Sequence, residues 1–201
     1  MSPLYIGKWT LIHGKLYHFS QERVTFAKAK STCEHNKGKL FEPKTEFINN
    51  YIAARARRYR DEEWEVELFH EIINPWIGIY HLHDESRTVF ASDYTTVLWS
   101  NWDANEPNNV NDGDDCVHLY NNKPEVNNCP WYTNIYNIPL FADRICNDET
   151  NTEECKWDGG DCCGESDMTK CSDCECLESF KWNDNKCEEF RRFICEKEGT
   201  G

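Results

Sequence analysis

The sequence lacks a long apolar run and a surplus of basic residues, and each absence excludes a class of partner. A helix that spans a bilayer needs about 20 consecutive, mainly apolar residues, and no stretch of the 201 residues meets this requirement. We therefore expect no membrane insertion. The 36 acidic residues outnumber the 22 basic residues, which gives a formal net charge of −14. Because phosphate binding needs clustered lysine and arginine, we expect no nucleic-acid partner.

Motifs that carry catalytic chemistry are also missing. The sequence contains no nucleophile elbow, no phosphate-binding loop and no metalloprotease helix motif. Acidic pairs are plentiful, and two carboxylates could in principle cleave a glycoside, but nothing in the sequence singles out such a pair. His81 and His83 alternate on one predicted strand without an identifiable third metal ligand. The sequence therefore favours a binding or structural protein, not an enzyme.

Cysteine, in contrast, is abundant. The 12 cysteines are even in number, which is typical of disulfides in an oxidising compartment. The start, Met1 to Tyr5, has neither the basic end nor the apolar stretch of a signal peptide. We expect a secreted, extracellular protein whose sequence begins with the mature chain. Zinc is the alternative for Cys171, Cys174 and Cys176, because a CxxC pair suits tetrahedral thiolate binding.

Hydrophobic periodicity predicts two helices followed by strands. Apolar residues in 22–35 and in 45–59 recur at helical spacing. From Trp76 onward, aromatic and β-branched residues favour strands. The second predicted helix ends in a basic cluster, and the acidic stretch 61–67 follows at once. A solvated helix end with compensating charges explains this pattern, and a patch for sulfated glycans is the alternative. The basic residues are Arg55, Arg57, Arg58 and Arg60.

Three segments that are distant in the sequence carry oxygen-bearing side chains suited to a hard cation. They are Glu106-Pro107-Asn108, Asp114 and Trp182-Asn183-Asp184. Calcium takes roughly six to eight oxygen ligands from carboxylates, amide carbonyls and water. The five side chains would leave coordination positions open. An open position on calcium is where another pair of oxygens, such as two sugar hydroxyls, can bind.

These segments resemble the C-type lectin domain. The core Trp76-Ile77-Gly78 and the ending Cys187–Glu196 extend the resemblance, which covers about Trp9–Tyr120 and Phe180–Glu196. It implies an α+β fold with two helices and short antiparallel strands. Residues 1–120 and 180–201 would form one discontinuous domain. It also implies two disulfides, Cys33–Cys195 and Cys116–Cys187.

The resemblance further implies a calcium site and a sugar specificity. The implied ligands of both calcium and sugar are Glu106, Asn108, Asp114, Asn183 and Asp184. Pro107 is expected in the cis form, which turns the flanking carbonyl oxygens of Glu106 and Asn108 onto the ion. In the family, the order Glu-then-Asn is associated with mannose, glucose and fucose, and Gln-then-Asp with galactose. Asp114 stands where the family usually has Glu, so this ligand is one methylene shorter.

Residues 121–179 form an insertion that carries eight of the 12 cysteines. The run Cys146–Cys162, which closes in Cys-x-Trp-Asp-Gly-Gly-Asp-Cys, resembles the Notch-type repeat, a small extracellular calcium module. Thr150 stands where that repeat has a cysteine, so one of the usual bridges is expected to be absent. The module is expected over residues 129–176. The resemblance implies Cys146–Cys162 and Cys129–Cys155, with the last four cysteines paired within Cys163–Cys176.

The insertion also has its own candidate cation ligands. The two glycines between Asp158 and Asp161 allow a tight turn with unusual φ values, and both carboxylates could then point at one cation. A plain acidic turn is the alternative. The flanking cysteines and two oxygen-bearing side chains, Asn147 and Asn151, favour calcium.

The leading hypothesis is a secreted, calcium-dependent protein that binds glycans with vicinal equatorial hydroxyls, as in mannose. One alternative is an extracellular structural or adhesion protein that keeps the fold and binds protein partners. Another is a surface binder of ice or mineral. The insertion could extend the sugar surface or contact a partner through Trp131, Tyr132 and Tyr136, or it could only stiffen a long loop.

Overall fold

The computed structural model describes residues 8–58, 74–82, 86–108, 115–120, 145–147, 167–170 and 180–199. The chain divides into two compact units. Unit one comprises Met1–Glu46, Ile72–Asn121 and Lys181–Gly201, and unit two comprises Phe47–Glu71 and Asn122–Phe180. The division near residues 121 and 181 resembles the predicted discontinuous arrangement, whereas Phe47–Glu71 groups with the other unit. The predicted domain bounds stay a prediction.

The described elements are two helices and ten strands. In chain order they are β1 (Thr10–Ile12), β2 (Lys15–Phe19), α1 (Phe26–His35), β3 (Lys39–Leu40), α2 (Glu46–Arg58), β4 (Trp76–Leu82), β5 (Arg87–Phe90), β6 (Cys116–Tyr120), β7 (Ile145–Asn147), β8 (Asp167–Lys170), β9 (Lys181–Asn185) and β10 (Ile194–Glu198). Two helices with mainly antiparallel strands confirm the predicted α+β class. Within the described ranges, neither helix is long and apolar enough to span a membrane.

The helix α1 begins later than its hydrophobic pattern predicts. Val24 is taken up in a β-bridge with Arg191, and Thr25 acts as the N-cap, its side chain accepting from the backbone N–H of Lys28. A Thr side chain that accepts such a bond satisfies an N–H that the first turn leaves open. The helix buries a single face against the core, formed by Phe26, Ala29, Thr32 and Cys33.

Unit one contains two four-stranded sheets. The first has the order β1-β2-β10-β3, and Cys33 of α1 is bonded to Cys195 of β10. The second has the order β5-β4-β6-β9, with the predicted Trp76-Ile77-Gly78 strand inside it. Fully buried side chains, Trp76, Phe26 and Phe193 among them, fill the core of this unit. Both disulfides implied by the lectin resemblance are present, the second joining Cys116 to Cys187.

The pairing of β6 with β9 explains how this unit tolerates a long insertion. The register places Tyr120 opposite Lys181, although 60 residues separate them in the sequence. Directly opposed residues of antiparallel strands lie only about 5 Å apart. The chain therefore leaves and re-enters the sheet at neighbouring positions, as a short hairpin would.

In unit two, the described parts are α2 from Phe47 onward, the strand pair β7–β8 and Phe180. The side chains of Asn49 and Asn50 hold the backbone of Phe180: Asn49 Nδ2 donates to Phe180 O at 2.8 Å, and Phe180 N donates to Asn50 Oδ1 at 3.1 Å. The strands β7 and β8 pair in parallel. The predicted ligands and cysteines of the calcium module that lie outside the described ranges are Asn151, Asp158, Asp161, Cys129, Cys155, Cys162, Cys163, Cys171, Cys174 and Cys176. The candidate contact residues Trp131, Tyr132 and Tyr136 lie outside them as well. Only the backbone of Cys146 and Asn147 is described, in β7.

Candidate functional site

The loop 101–108 is fastened to β9 by backbone hydrogen bonds. Trp182 N donates to Asn101 O at 2.8 Å, and Asp103 N donates to Trp182 O at 3.0 Å. Lys181 Nζ adds a bond to Asn101 Oδ1 at 2.8 Å. These three bonds fix the start of the loop to the same strand that carries Asn183 and Asp184.

Aromatic packing supports the same contact. Trp99 and Trp102 meet Trp182 edge to face, with ring centroids 5.2 and 5.7 Å away. His81 packs on Trp102 with a similar edge-to-face geometry. Trp182 is fully buried, so the loop rests on a rigid part of the core. Edge-to-face pairs of this kind add about 0.5–1.5 kcal/mol each beyond the buried area.

A tight turn then presents Glu106 and Asn108. Glu106 N donates to Asp103 O at 3.1 Å, and Ala104 N donates to Asp103 Oδ1 at 2.8 Å. Asn105 has a φ of 68°, a left-handed conformation that asparagine tolerates better than most residues. The Glu106–Pro107 peptide bond is cis, as the resemblance implies.

The structure brings Glu106, Asn108 and Asp184 together. Asn108 N donates to Asp184 Oδ1 at 3.2 Å, and Asn108 Nδ2 donates to Glu106 Oε1 at 2.8 Å. Burial raises the pKa of Glu106 to about 8, and the neighbouring carboxyl of Asp184 adds to this rise. Two carboxyl groups crowded in this way favour a cation, because a positive charge relieves their repulsion.

Two buried oxygen atoms at the site lack a hydrogen-bond partner. They are Glu106 Oε2 and Asn183 Oδ1. Buried polar atoms are nearly always satisfied, so each exception needs an explanation. Both atoms are hard oxygen donors of the kind that calcium prefers, and the residues therefore fit a calcium ion. Asn183 directly precedes Asp184 on β9, and its buried oxygen adds an amide ligand to the carboxylates.

The described residues supply only part of the predicted ligand set. They provide two carboxylates and two amides, and within the described ranges no cluster of three His, Cys, Asp or Glu side chains is formed. The fifth predicted ligand, Asp114, lies outside the described residues.

Three contributors to the site were not predicted from the sequence. Lys181 and Asn101 are 80 residues apart, and neither belongs to a recognisable motif. His118 is buried and stands opposite Asn183 in the sheet. Burial, reinforced by the charge of Arg191, lowers the pKa of His118 to about 3. Only the register of β6 on β9 reveals the position of this histidine, so no local signal in the sequence could have done so.

Comparison with known families identifies the family of the chain. The model of the lectin C-type domain family matches residues 22–135, which is more than half of the chain. The protein belongs to this family. The LNR domain model of Notch matches residues 126–163. This range lies inside the insertion 121–179.

Individual relatives are similar over the lectin part. Collectin-11 of Bos taurus is 31% identical over 105 residues, which are 52% of this chain and 35% of the relative. A hepatic lectin of Gallus gallus is 25% identical over 56% of this chain and 48% of the relative. The chain thus spans about a third to a half of the length of these curated relatives. The second of these relatives is a lectin by its printed name.

Solved structures show the same fold. The carbohydrate-recognition domain of the mouse scavenger receptor C-type lectin superposes with a TM-score of 0.56 at 21% identity, covering 96% of this chain and 95% of that domain. The C-type lectin CEL-I of Cucumaria echinata gives a TM-score of 0.57 at 14% identity, with 96% of each chain covered. At these identities the likeness establishes the fold alone.

Proposed function

We propose that the protein is an extracellular, calcium-dependent lectin that recognises mannose-type sugars. The observation that carries the proposal is the pair of buried, unsatisfied oxygens, Glu106 Oε2 and Asn183 Oδ1, beside the carboxylate of Asp184. The membership of the C-type lectin family supports the same function.

The residues would share the work between ion and sugar. Glu106, Asn108, Asn183 and Asp184 would hold the calcium, together with Asp114. The ion supplies coordination positions that remain open to two vicinal sugar hydroxyls. The carboxylate oxygens of Glu106 accept hydrogen bonds from these hydroxyls, and the Asn108 amide donates to them. Backbone hydrogen bonds fasten loop 101–108 to β9. They hold Glu106 and Asn108 of the loop in place relative to Asn183 and Asp184 of β9 before a sugar binds.

The order of the triplet supports a mannose-type preference. Glu106 precedes Asn108, the order that the family associates with mannose, glucose and fucose. A related fold, the cow C-type carbohydrate-recognition domain of CD23, was crystallised in the presence of a GlcNAc2Man3 oligosaccharide, with a TM-score of 0.54 and 18% identity to this chain. The Cys33–Cys195 and Cys116–Cys187 bridges support an oxidising, extracellular location.

Calorimetry with mannose and galactose tests the sugar site. The wild-type chain should bind mannose in calcium and lose this binding in excess chelator. The double variant Glu106→Gln with Asn108→Asp should bind calcium but prefer galactose, because it exchanges the donor and acceptor positions around the two hydroxyls. Glu188→Gln, an exposed carboxylate beyond the second disulfide, is the matched control and should behave like the wild type. Mannose binding that persisted undiminished in chelator would refute the proposal.

The insertion would hold a second calcium ion. Its match to the LNR domain of Notch supports this role, and Asp158 and Asp161, with Asn147 and Asn151, are the proposed ligands. Native mass spectrometry should find two calcium ions per chain. The double variant Asp158→Asn with Asp161→Asn should retain one ion and should still bind mannose. Two ions in this variant would contradict the assignment.

A further inference from the structure

A stacked pair of tyrosines connects β4 to the turn that follows β5. Tyr80 belongs to β4, and Tyr94 lies after the end of β5. Their ring centroids are 5.9 Å apart and their planes are 19° from parallel, within the range that aromatic pairs favour. Tyr94 is 56% exposed and Tyr80 is half-buried. Small reagents in solvent can therefore reach the pair.

The backbone holds Tyr94 in a conformation that a bulky residue rarely adopts. Its φ is 59°, in the left-handed region. Tyr94 N donates to Phe90 O and Phe90 N donates to Thr95 O, both at 2.9 Å, and Thr95 N donates to Asp93 Oδ1 at 2.9 Å. Backbone strain persists only where surrounding contacts enforce it, and it concentrates at functional positions. The turn therefore fixes where the exposed ring is presented.

Tyr80 is held in place from the other side. Its ring packs on Phe26 with centroids 4.8 Å apart, and Phe26 is buried in the core. Tyr80 also pairs with Val89 in the register of β4 on β5. The exposed ring of Tyr94, in contrast, can reorient about its side-chain bonds within picoseconds to nanoseconds. One ring of the pair is thus fixed, and the other can close on it.

The phenol groups of the two rings interact electrostatically. Burial raises the pKa of Tyr80 to about 12, and the nearby phenol of Tyr94 adds to this rise. Such an interaction needs a short distance between the two phenols. It indicates that the ring carbons ortho to the two hydroxyls are near each other as well. These carbons carry unpaired electron density once a phenol has lost an electron and a proton.

We propose that Tyr80 and Tyr94 form a site of oxidative cross-linking, at which hydrogen peroxide and a haem peroxidase join the two rings as dityrosine. Each phenol gives up one electron and one proton, and the two radicals form a carbon–carbon bond between their ortho carbons. The hydrogen on each of these carbons then moves as a proton to the oxygen, which restores both phenols. The pair loses two hydrogens in all, and the peroxide takes them up and leaves as two water molecules. This site is independent of the proposed calcium and sugar site.

The placement of the two rings favours a link within one chain. Groups held together in one fold have an effective concentration far above that of a dilute protein. Other described tyrosines pack on different residue types: Tyr17 is buried with its ring on Phe41, and Tyr120 contacts His118. The new bond would close residues 80–94 into a ring and stabilise this part of the fold, because a covalent closure restricts the unfolded chain.

The test oxidises the dilute full chain with a haem peroxidase and hydrogen peroxide. Dityrosine fluorescence is measured in the monomer fraction, and mass spectrometry of the digest locates the peptide that joins residues 80 and 94 and lacks two hydrogens. The variants Tyr80→Phe and Tyr94→Phe keep the ring but have no phenol to oxidise. Each should lower the dityrosine yield of the monomer about tenfold, because the preorganised pair is lost. Tyr120→Phe, on β6, is the matched control and should give the wild-type yield.

Oxidation in urea tests whether the fold is responsible. The wild-type chain keeps both phenols in urea but loses their stacking, so the yield of the link between residues 80 and 94 should fall about tenfold. An equal yield in urea would overturn the site, because proximity in the sequence alone would then explain the link. Dityrosine in the monomer that is unchanged in both Phe variants, or that forms only between chains, would overturn it as well.

Discussion

At the residue scale, the site depends on a few side chains whose sequence positions are far apart. Glu106, Asn108 and Asp184 were identified from short motifs, because the chemistry of calcium limits which residue types can serve. The bond from Asn108 N to Asp184 Oδ1 joins residues 76 positions apart. No local pattern encodes such a contact, so the motifs supply the candidate ligands but not their arrangement.

Lys181 positions the loop and offers a first prediction at this scale. Replacing Lys181 with Met removes the bond from Nζ to Asn101 Oδ1. We expect calcium affinity to fall about fivefold, since a single bond of this type contributes roughly 1 kcal/mol, while sugar preference at saturating calcium stays the same. Lys181→Arg should recover part of the loss. The fluorescence of Trp99, Trp102 and Trp182 can report the calcium titration.

An opposite pattern would contradict the role of Lys181. If Lys181→Met left calcium affinity unchanged and lowered only the melting temperature, the lysine would be structural. The exposed lysine Lys37, which lies just after α1, provides the control as Lys37→Met.

His118 leads to a pH prediction. Its ordinary pKa of 6.5 is lowered to about 3 in the fold, mainly by burial. Between these values the unfolded chain binds the proton and the folded chain does not, so stability rises with pH in this window. The stabilisation is complete above about pH 6.5 and declines as the pH falls towards 3, by about 1.4 kcal/mol per pH unit.

The variant His118→Gln should show a weaker acid dependence. Urea unfolding of both chains in chelator, at several pH values from 7 to 4, measures the difference while excluding any effect of calcium loading. Parallel loss of stability in the two chains would show that His118 does not titrate in this way.

At the element scale, periodicity predicted both helices, but tertiary contacts set their ends. The pattern predicts a helix over 22–35, whereas the helix begins at Phe26 because Val24 pairs with Arg191. The bridge partner comes from the far end of the chain, which explains why local sequence could not give this boundary. The parallel pair β7–β8 was not predicted from the sequence, since each strand is very short.

Gly78 gives a prediction for the packing of β4 against β3. A Cβ at this position would lie 2.8 Å from Leu40 O and 2.8 Å from Glu42 Cγ, and Leu40 O cannot move without disturbing β3. We expect Gly78→Ala to destabilise the fold by about 1–3 kcal/mol, the usual range for overpacking. The melting temperature measures the effect. The control is Ser100→Ala, an exposed residue directly before loop 101–108. An unchanged melting temperature would show that β3 and β4 can move apart enough to accommodate the added methyl group without loss of stability.

At the scale of the whole molecule, the sequence predicted two bodies and the two lectin disulfides. Those features follow from the family pattern and from the clustering of cysteines, both of which are visible in one dimension. The grouping of Phe47–Glu71 with the second unit could not be predicted, because it depends on three-dimensional contacts such as those between Asn49, Asn50 and Phe180.

Removal of the insertion tests whether the proposed sugar site is self-contained. Replacing residues 122–179 with a short turn should leave a folded chain, because Tyr120 and Lys181 are already opposed. Glu106, Asn108, Asn183 and Asp184 all lie in unit one, so monosaccharide affinity and its sensitivity to chelator should remain. The same deletion combined with Glu106→Gln serves as the inactive control. A deletion variant that is folded by circular dichroism but cannot bind mannose would contradict this expectation.

The Cys33–Cys195 bond has a mechanical consequence. The two cysteines are 162 positions apart, and Cys195 lies in β10, which pairs with β2 from Ile194–Phe19 to Glu198–Lys15. Tension applied through residues 8 and 199 can peel β10 from β2 one bond at a time, because Lys15 and Glu198 pair at the open end. The peeling stops at the covalent cross-link, which then carries the load. The chain between the two cysteines, which contains Glu106, Asn108, Asn183 and Asp184, then carries no load. The proposed calcium and sugar site is therefore insulated from tension applied at residues 8 and 199.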